Sequence, residues 1–306
     1  MPDTPFIIDL KPLSEPVVKL IESVQKAVGT LWDPTRIRKK AKADADAIIE
    51  QARAEAKAAL IRADGDARVR DLELRMEHRI NLLELRRQRN IESIISQAAH
   101  QLPESVTDEE TDEDWMIQFF NHCQDIGNEE MQKLWARLLA GEVAQPGSYS
   151  LRTLNTVRML RQSDAAMFRL FCNYCWMGGC HYYTDQTDAL LKCRGLPYAT
   201  FLHMQALGLL HAEVGLVNEL GPSKVILTLY HGHRHRLSNP QDRAKSLRTR
   251  ALTDIGLELA SLCDCESDEE YYSILVDSWE KDGIEVTVWE LADVALADEG
   301  TYWSRP

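Results

Sequence analysis

The sequence predicts a mainly α-helical protein. It would combine a long, coiled-coil-like N-terminal helix, a helical-bundle body and a small α+β, winged-helix-like C-terminal unit. Three observations carry this. Between Pro34 and Pro103 there is no proline and a single glycine, Gly65, while apolar residues recur at helical spacing. From Trp115 onward, short amphipathic runs alternate with cap and turn residues. Near the C-terminus, Ile284-Glu285-Val286-Thr287-Val288-Trp289 alternates as a strand does.

Residues 1–34 hold an amphipathic helix from Leu13 to Trp32, with Val17, Leu20, Ile21, Val24, Val28 and Leu31 on one face and Trp32-Asp33-Pro34 as its stop. A membrane-surface role for 13–32 would need a broad basic face, and Lys19 with Lys26 is thin. Docking against the body or another subunit is the favoured reading.

Residues 35–101 form the rod, with Thr35 as N-cap. Ala41, Ala45, Ile48, Ala52, Ala56, Ala59, Ala63 and Ala67 mark its first half. After a phase shift near Gly65, Val69, Leu72, Met76, Ile80, Leu83, Arg87, Ile91, Ile94 and Ala98 continue. The eleven-residue repeat averages about 3.67 residues per turn, which favours a nearly straight rod. At ~1.5 Å per residue the rod would be roughly 100 Å long. Such a stripe needs a partner, so Val69, Leu72, Met76, Ile80, Leu83, Ile91 and Ile94 are expected to mediate oligomerisation. Arg86-Arg87-Gln88-Arg89 reads as a solvated face, with phosphate contact as the alternative.

Residues 102–114 read as an acidic linker and domain boundary, 115–196 as a helical bundle, and 197–306 as the α+β unit. Thr111, Asn128, Ser150 and Ser163 are the expected N-caps, Gly141 a C-terminal stop, and Gln145-Pro146-Gly147 a turn. Helices are expected at 151–160, 164–176, 198–210 and 252–262, with strands at 224–230 and 284–289.

The formal net charge of −13 conceals segregation. Residues 101–142 carry 11 acidic against two basic residues, 224–250 seven basic against one acidic, and 254–300 15 acidic against one basic. Such blocks favour charge pairing within or between subunits, and a polyanion second. There is no basic start followed by a long apolar core, and no apolar run of membrane-spanning length, so a cytoplasmic location is expected. Seven cysteines are then most simply reduced thiols.

Asp114-Trp115, then Asp125 through Glu142 (Asp-Ile-Gly-Asn-Glu-Glu-Met-Gln-Lys-Leu-Trp-Ala-Arg-Leu-Leu-Ala-Gly-Glu) and Pro146-Gly-Ser-Tyr-Ser-Leu-Arg-Thr-Leu154 resemble a bacterial family of unknown function. Trp32-Asp-Pro-Thr-Arg-Ile-Arg38 fits the same family. The layout, ending in Leu252-Thr-Asp-Ile-Gly-Leu-Glu-Leu259, is similar to alpha-type abortive-infection proteins. The resemblance implies a bacterial or phage setting with antiviral defence as the role, and brings no catalytic residues. Trp115, Asp125, Met131, Trp135, Gly141, Glu142 and Arg152 read as architecture, with Glu142 and Arg152 placed to pair across the turn.

Two constellations could carry chemistry. Cys172, Cys175, Cys180 and Cys193 supply enough donors for zinc, although the spacing matches no familiar finger and the first pair lies in an apolar helical run. His231, His233 and His235 would share one face of a continuing strand and could bind a divalent metal. With Arg234, Arg236, Arg243, Lys245, Arg248 and Arg250 nearby, a nucleic-acid-binding hairpin is as natural, and a mobile solvated hairpin is the plain alternative. Cys263-x-Cys265 sits at a helix end in acidic surroundings and receives no role. Phosphate-loop, dinucleotide, metalloprotease and serine-hydrolase motifs are missing. The expectation is a non-enzymatic oligomeric scaffold without a required cofactor, bound to itself and to another protein. Nucleic-acid binding and a metal-dependent effector are the alternatives.

Overall fold

The computed structural model describes residues 14–28, 67–212 and 216–289. The rod between 35 and 66, with its alanine stripe and Gly65, lies outside the described residues, as does the expected helix stop at Trp32-Asp33-Pro34. The described chain is mainly helical with small sheets towards the C-terminus, and divides into two compact units, 1–151 and 152–306. None of its described helices is long and apolar enough to cross a membrane.

In the first unit, α1 (Glu15–Val28) packs on α3 (Glu113–Cys123) and α4 (Glu129–Ala144). Leu20 and Val24 are completely buried, so the apolar face is occupied by the body. α2 (Ala67–Gln101) runs 35 residues, about 52 Å at 1.5 Å per residue. Its last turns lie against α4 and α3 through Ile91, Ile94, Ile95 and Ala98.

The acidic connection after α2 lies inside the first unit and is tied to its helices. The Thr107 N–H donates to the Ala144 carbonyl at 3.2 Å, Lys19 donates to the Thr107 carbonyl, and Lys26 pairs with Glu110 at 2.7 Å. Asp112, rather than Thr111, caps α3 by accepting from the Trp115 N–H at 2.7 Å. A carboxylate suits the positive end of a helix better than a hydroxyl. Asn128 caps α4 from the side-chain oxygen, as its position predicts. Trp115, Phe119 and Trp135 then form the aromatic centre, with Phe119 edge-on to Trp135 at 5.3 Å.

Gly141 does not stop α4, which continues to Ala144. Its missing side chain makes room for a ring: a Cβ there would stand 2.6 Å from the Tyr149 hydroxyl oxygen. The Glu142 carboxylate, in a residue 1% exposed, accepts from the N–H groups of Gly147 at 2.7 Å and Tyr149 at 3.0 Å and so fixes the turn. Trp115 Nε1 donates to the Tyr149 carbonyl at 2.7 Å.

The second unit begins with α5 (Leu151–Met159), which starts at the boundary, and α6 (Gln162–Cys172). The Asp164 carboxylate accepts from the Arg161 N–H at 2.9 Å, so α6 starts ahead of Ser163. α6 ends at Cys172 rather than Trp176, because the chain turns through Met177–Gly179, where Gly178 and Gly179 have φ of 71° and 69°. Then follow β1 (Cys180–Tyr182), α7 (Asp185–Cys193), α8 (Tyr198–Ala206), β2 (Leu216–Leu220), β3 (Val225–Tyr230), β4 (His233–Ser238), β5 (Lys245–Ala251), α9 (Asp254–Ala260), α10 (Glu269–Lys281) and β6 (Glu285–Trp289).

One antiparallel sheet has the order β1-β5-β2 and the other β3-β4-β6. Because β1 at 180–182 pairs with β5 at 245–251, residues on both sides of the expected division at 196/197 belong to one sheet. In α9, Thr253 accepts from the Gly256 N–H at 3.1 Å, and a Cβ on Gly256 would stand 2.2 Å from the Leu209 carbonyl oxygen. That accounts physically for the threonine and glycine of Leu252–Leu259.

Candidate binding surfaces

In the first unit the site is the projecting half of α2. The apolar face that buries Ile91 and Ile94 continues towards its N-terminus as Leu72, Met76, Ile80 and Leu83, which are 38–52% exposed. Val69 stands in the first turn of the helix. Leu74, Leu82 and Leu85, 50–66% exposed, add a second apolar line on another side. The expected oligomerisation set is therefore split: Ile91 and Ile94 are buried in the chain's own core, and Leu72, Met76, Ile80 and Leu83 are exposed among the described residues.

In the basic cluster that follows, Arg86 and Arg87 contact Asp125, and Arg89 is exposed. Arg87 grips Asp125 with Nε at 2.8 Å and Nη2 at 3.1 Å, and Arg86 donates to the Asp125 carbonyl. The Arg87 guanidinium holds the Asp125 carboxyl below its usual range. Asn90 donates to the Gln124 carbonyl at 2.8 Å, and Gln132 donates to Asn90 and to the Ile126 carbonyl. Signature residue Asp125 thus belongs to a polar network joining α2 to the turn before α4.

In the second unit, the basic set divides. Arg250, on the central strand β5, holds Asp188 of α7 through two 2.8 Å hydrogen bonds and lies over the rings of Tyr183 and Phe201 at 3.7 and 4.1 Å. Arg248 pairs with Asp185 at 2.8 Å. Both therefore pair with carboxylates of α7, Arg250 largely buried and Arg248 exposed. Arg234 and Arg236 lie on β4, where Arg236 is exposed between Leu227 of β3 and Thr287 of β6. Arg243 is exposed in the connection to β5, and Lys245 opens that strand opposite Leu220. Arg152 is exposed on α5.

The three histidines do not converge. His231 and Gly232 form the two-residue β3–β4 turn, with φ of 46° and 86°, so His231 has left the strand. His231 Nε2 donates to the Asn173 carbonyl at 2.8 Å. His233 is exposed, whereas His235 is 1% exposed beside Trp176 and Tyr272. Burial pushes the His235 pKa down to about 4. The hairpin is anchored rather than free: Tyr230 stacks on Trp176 at 4.8 Å, and its hydroxyl donates to Asn173 and accepts from the Asp268 N–H.

The cysteines are grouped differently from the expected set. Cys172 and Cys175 share a cavity of about 420 Å³ with Cys263 and Cys265, the pair that sequence spacing left without a role. Cys180 neighbours Cys175, while Cys193 is exposed at the end of α7 and is not among the cavity's lining residues. Burial first, and the neighbouring thiols second, push the Cys172 thiol well above its ordinary range. Among the described residues no three His, Cys, Asp or Glu side chains are disposed as a ready metal site. A further buried group is His181, between Phe171, Phe201 and Tyr271, whose Nε2 has no hydrogen-bond partner among the described residues.

The geometry defines a mainly helical protein with small sheets in its second unit and an exposed apolar line on α2. The sequence profile of a family described as a protein of unknown function, DUF2806, matches residues 74–276, and the chain belongs to that family. No curated protein and no solved structure gives a significant match.

Proposed function

We propose that this protein is a non-enzymatic assembly scaffold of the cytoplasm, joining copies of itself through the projecting half of α2 and presenting its second unit to another protein. The observation that carries this reading is the uncovered line Leu72, Met76, Ile80 and Leu83, continuous with the face that α2 buries in its own body. Large apolar patches held in water mark association surfaces. The second apolar line at Leu74, Leu82 and Leu85 suits a helix packed between neighbours. Light scattering on the purified full chain tests the reading, and a strict monomer at micromolar concentration overturns it.

The second unit is, on this proposal, a winged-helix variant. What supports that is the order α6, β1, α7, α8, β2, hairpin, β5, with β5 between β1 and β2. The setting we propose is bacterial antiviral defence, on the likeness of layout to alpha-type abortive-infection proteins.

A second reading, nucleic-acid binding, has one observation in its favour: Arg236 and Arg243 are exposed at the β3–β4 hairpin and its outgoing loop. It narrows the contact set to Arg234, Arg236, Arg243 and Lys245. Binding of a DNA or RNA oligonucleotide that weakens steeply with salt and is lost in Arg236→Glu/Arg243→Glu would establish it. Unchanged binding in that variant removes it.

A further inference from the structure

Two short cysteine pairs, about ninety residues apart in the chain, meet at one cavity of the second unit. Cys172 is the last residue of α6, and Cys175 follows in a turn closed by the Cys175 N–H to the Cys172 carbonyl at 3.1 Å. Cys263 and Cys265 lie in the turn beyond α9, where the Cys263 N–H donates to the Ala260 carbonyl at 3.0 Å. All four line the same cavity, and the Cys172 thiol is within hydrogen-bonding reach of the other three. Leu229, Leu252 and Leu257 make up apolar parts of its wall.

We propose that Cys172, Cys175, Cys263 and Cys265 form a four-thiolate site for a soft divalent cation, zinc, that ties the end of α6 to the end of α9. A C-x-x-C and a C-x-C supply the four sulfur donors that a closed tetrahedral zinc site uses. Thiolates select zinc over hard cations such as magnesium. Apolar packing alone gives no reason for two separate chain segments to deliver thiols to one cavity, since an alanine or valine fills such space equally well.

In their protonated form these thiols point at backbone carbonyls: Cys175 at Phe171, 3.8 Å, Cys263 at Leu259, 3.6 Å, and Cys265 at Cys263, 3.6 Å. In that orientation the donors do not surround a common point, so binding requires the thiols to turn from the carbonyls towards the cavity. Binding replaces three weak S–H contacts with metal–sulfur bonds and releases four protons, leaving a four-coordinate centre with charge −2. With every position taken by protein, the metal would be structural. It would hold the turn that carries Trp176 and Asn173, and through Asn173 the hairpin turn at His231.

The test is metal analysis of untagged full-length protein purified under reducing conditions and reconstituted with zinc. About one zinc per chain, retained through dialysis, is expected. Cys263→Ser/Cys265→Ser should fall below about a tenth of that, while Cys193→Ser keeps it. If the double variant does not fold, cobalt reconstitution of the wild-type chain gives an independent reading, through the intense thiolate-to-cobalt absorption of a tetrahedral site. Wild-type protein that takes up neither metal, a disulfide within the cluster in place of the metal, or a double variant that still holds zinc would each overturn the proposal.

Discussion

Arg250 and Asp188 form a bidentate ion pair from the central strand of one sheet to the helix before α8, both hydrogen bonds at 2.8 Å. The arginine side chain is 11% exposed and the aspartate 32%. The same guanidinium covers Tyr183 and Phe201 and faces His181 Nδ1 at 3.4 Å. A residue that sequence alone places in a basic island is thereby an internal fastener.

Arg250→Ala should therefore act on stability. Removing one partner of a largely desolvated pair leaves the other without compensation, and here also strips a cation from two ring faces. A loss of about 2–3 kcal/mol is expected, read by urea unfolding. Affinity for nucleic acid, if any is measured, should change less than in Arg236→Glu. The opposite ranking would place Arg250 on a binding surface.

Gly141→Ala should destabilise the first unit by about 1–3 kcal/mol, since the new methyl meets the Tyr149 ring and hydroxyl. The cost should shrink markedly in a Tyr149→Leu background. A double-mutant cycle with no coupling would show that the helical glycine is required for some other reason.

His235 gives a pH dependence with a definite sign. Its folded pKa is about 4, below the usual histidine value near 6.5, so the unfolded chain binds more protons between these values. Stability is full above about pH 6.5 and declines as pH falls towards 4, by about 2 kcal/mol at pH 5 from this group alone. His181 is depressed in the same direction by burial first and Arg250 second. His235→Phe, which also removes an Nε2 without a partner among the described residues, should flatten the slope of stability between pH 4 and 6.5. An unchanged slope would assign the acid sensitivity elsewhere.

Position along α2 should separate folding from assembly. Ile94→Ala should cost about 2–4 kcal/mol of stability because Ile94 is fully buried in its own chain. Met76→Glu/Ile80→Glu should leave the helical content and the unfolding midpoint of dilute protein nearly unchanged while lowering the particle mass measured by light scattering. Assembly unaffected by the latter pair would separate self-association from the uncovered line.

Much of the helical plan was legible because its signals are local. Asn128 caps α4 through the short-range hydrogen bond its position predicts, and the alternation at 284–289 predicts β6. The carboxylate at Asp112 and the Asp164 bond to Arg161 moved helix starts by one or two residues, a competition between neighbouring caps that pattern alone does not resolve. Gly141 read as a helix stop, and only the distant ring of Tyr149 shows what its missing side chain makes room for. The basic set and the cysteine set were legible as compositions but not as groupings. Asp185 and Asp188, which hold Arg248 and Arg250, sit three residues apart on α7, and no local pattern indicates that β5 will lie beside them.

By itself, the sequence determined the helical character of most of the described chain, the cap at Asn128, the strand segments at 225–230 and 285–289, and the apolar stripe along α2. These follow from hydrogen bonds and side-chain periodicities that span a few residues. Tertiary structure alone decided which part of that stripe is buried, which arginines are already neutralised, and that Cys263 and Cys265 join Cys172 and Cys175. Each of those outcomes depends on which distant segment arrives alongside, and burial, ion pairing and thiol clustering exist only once it has.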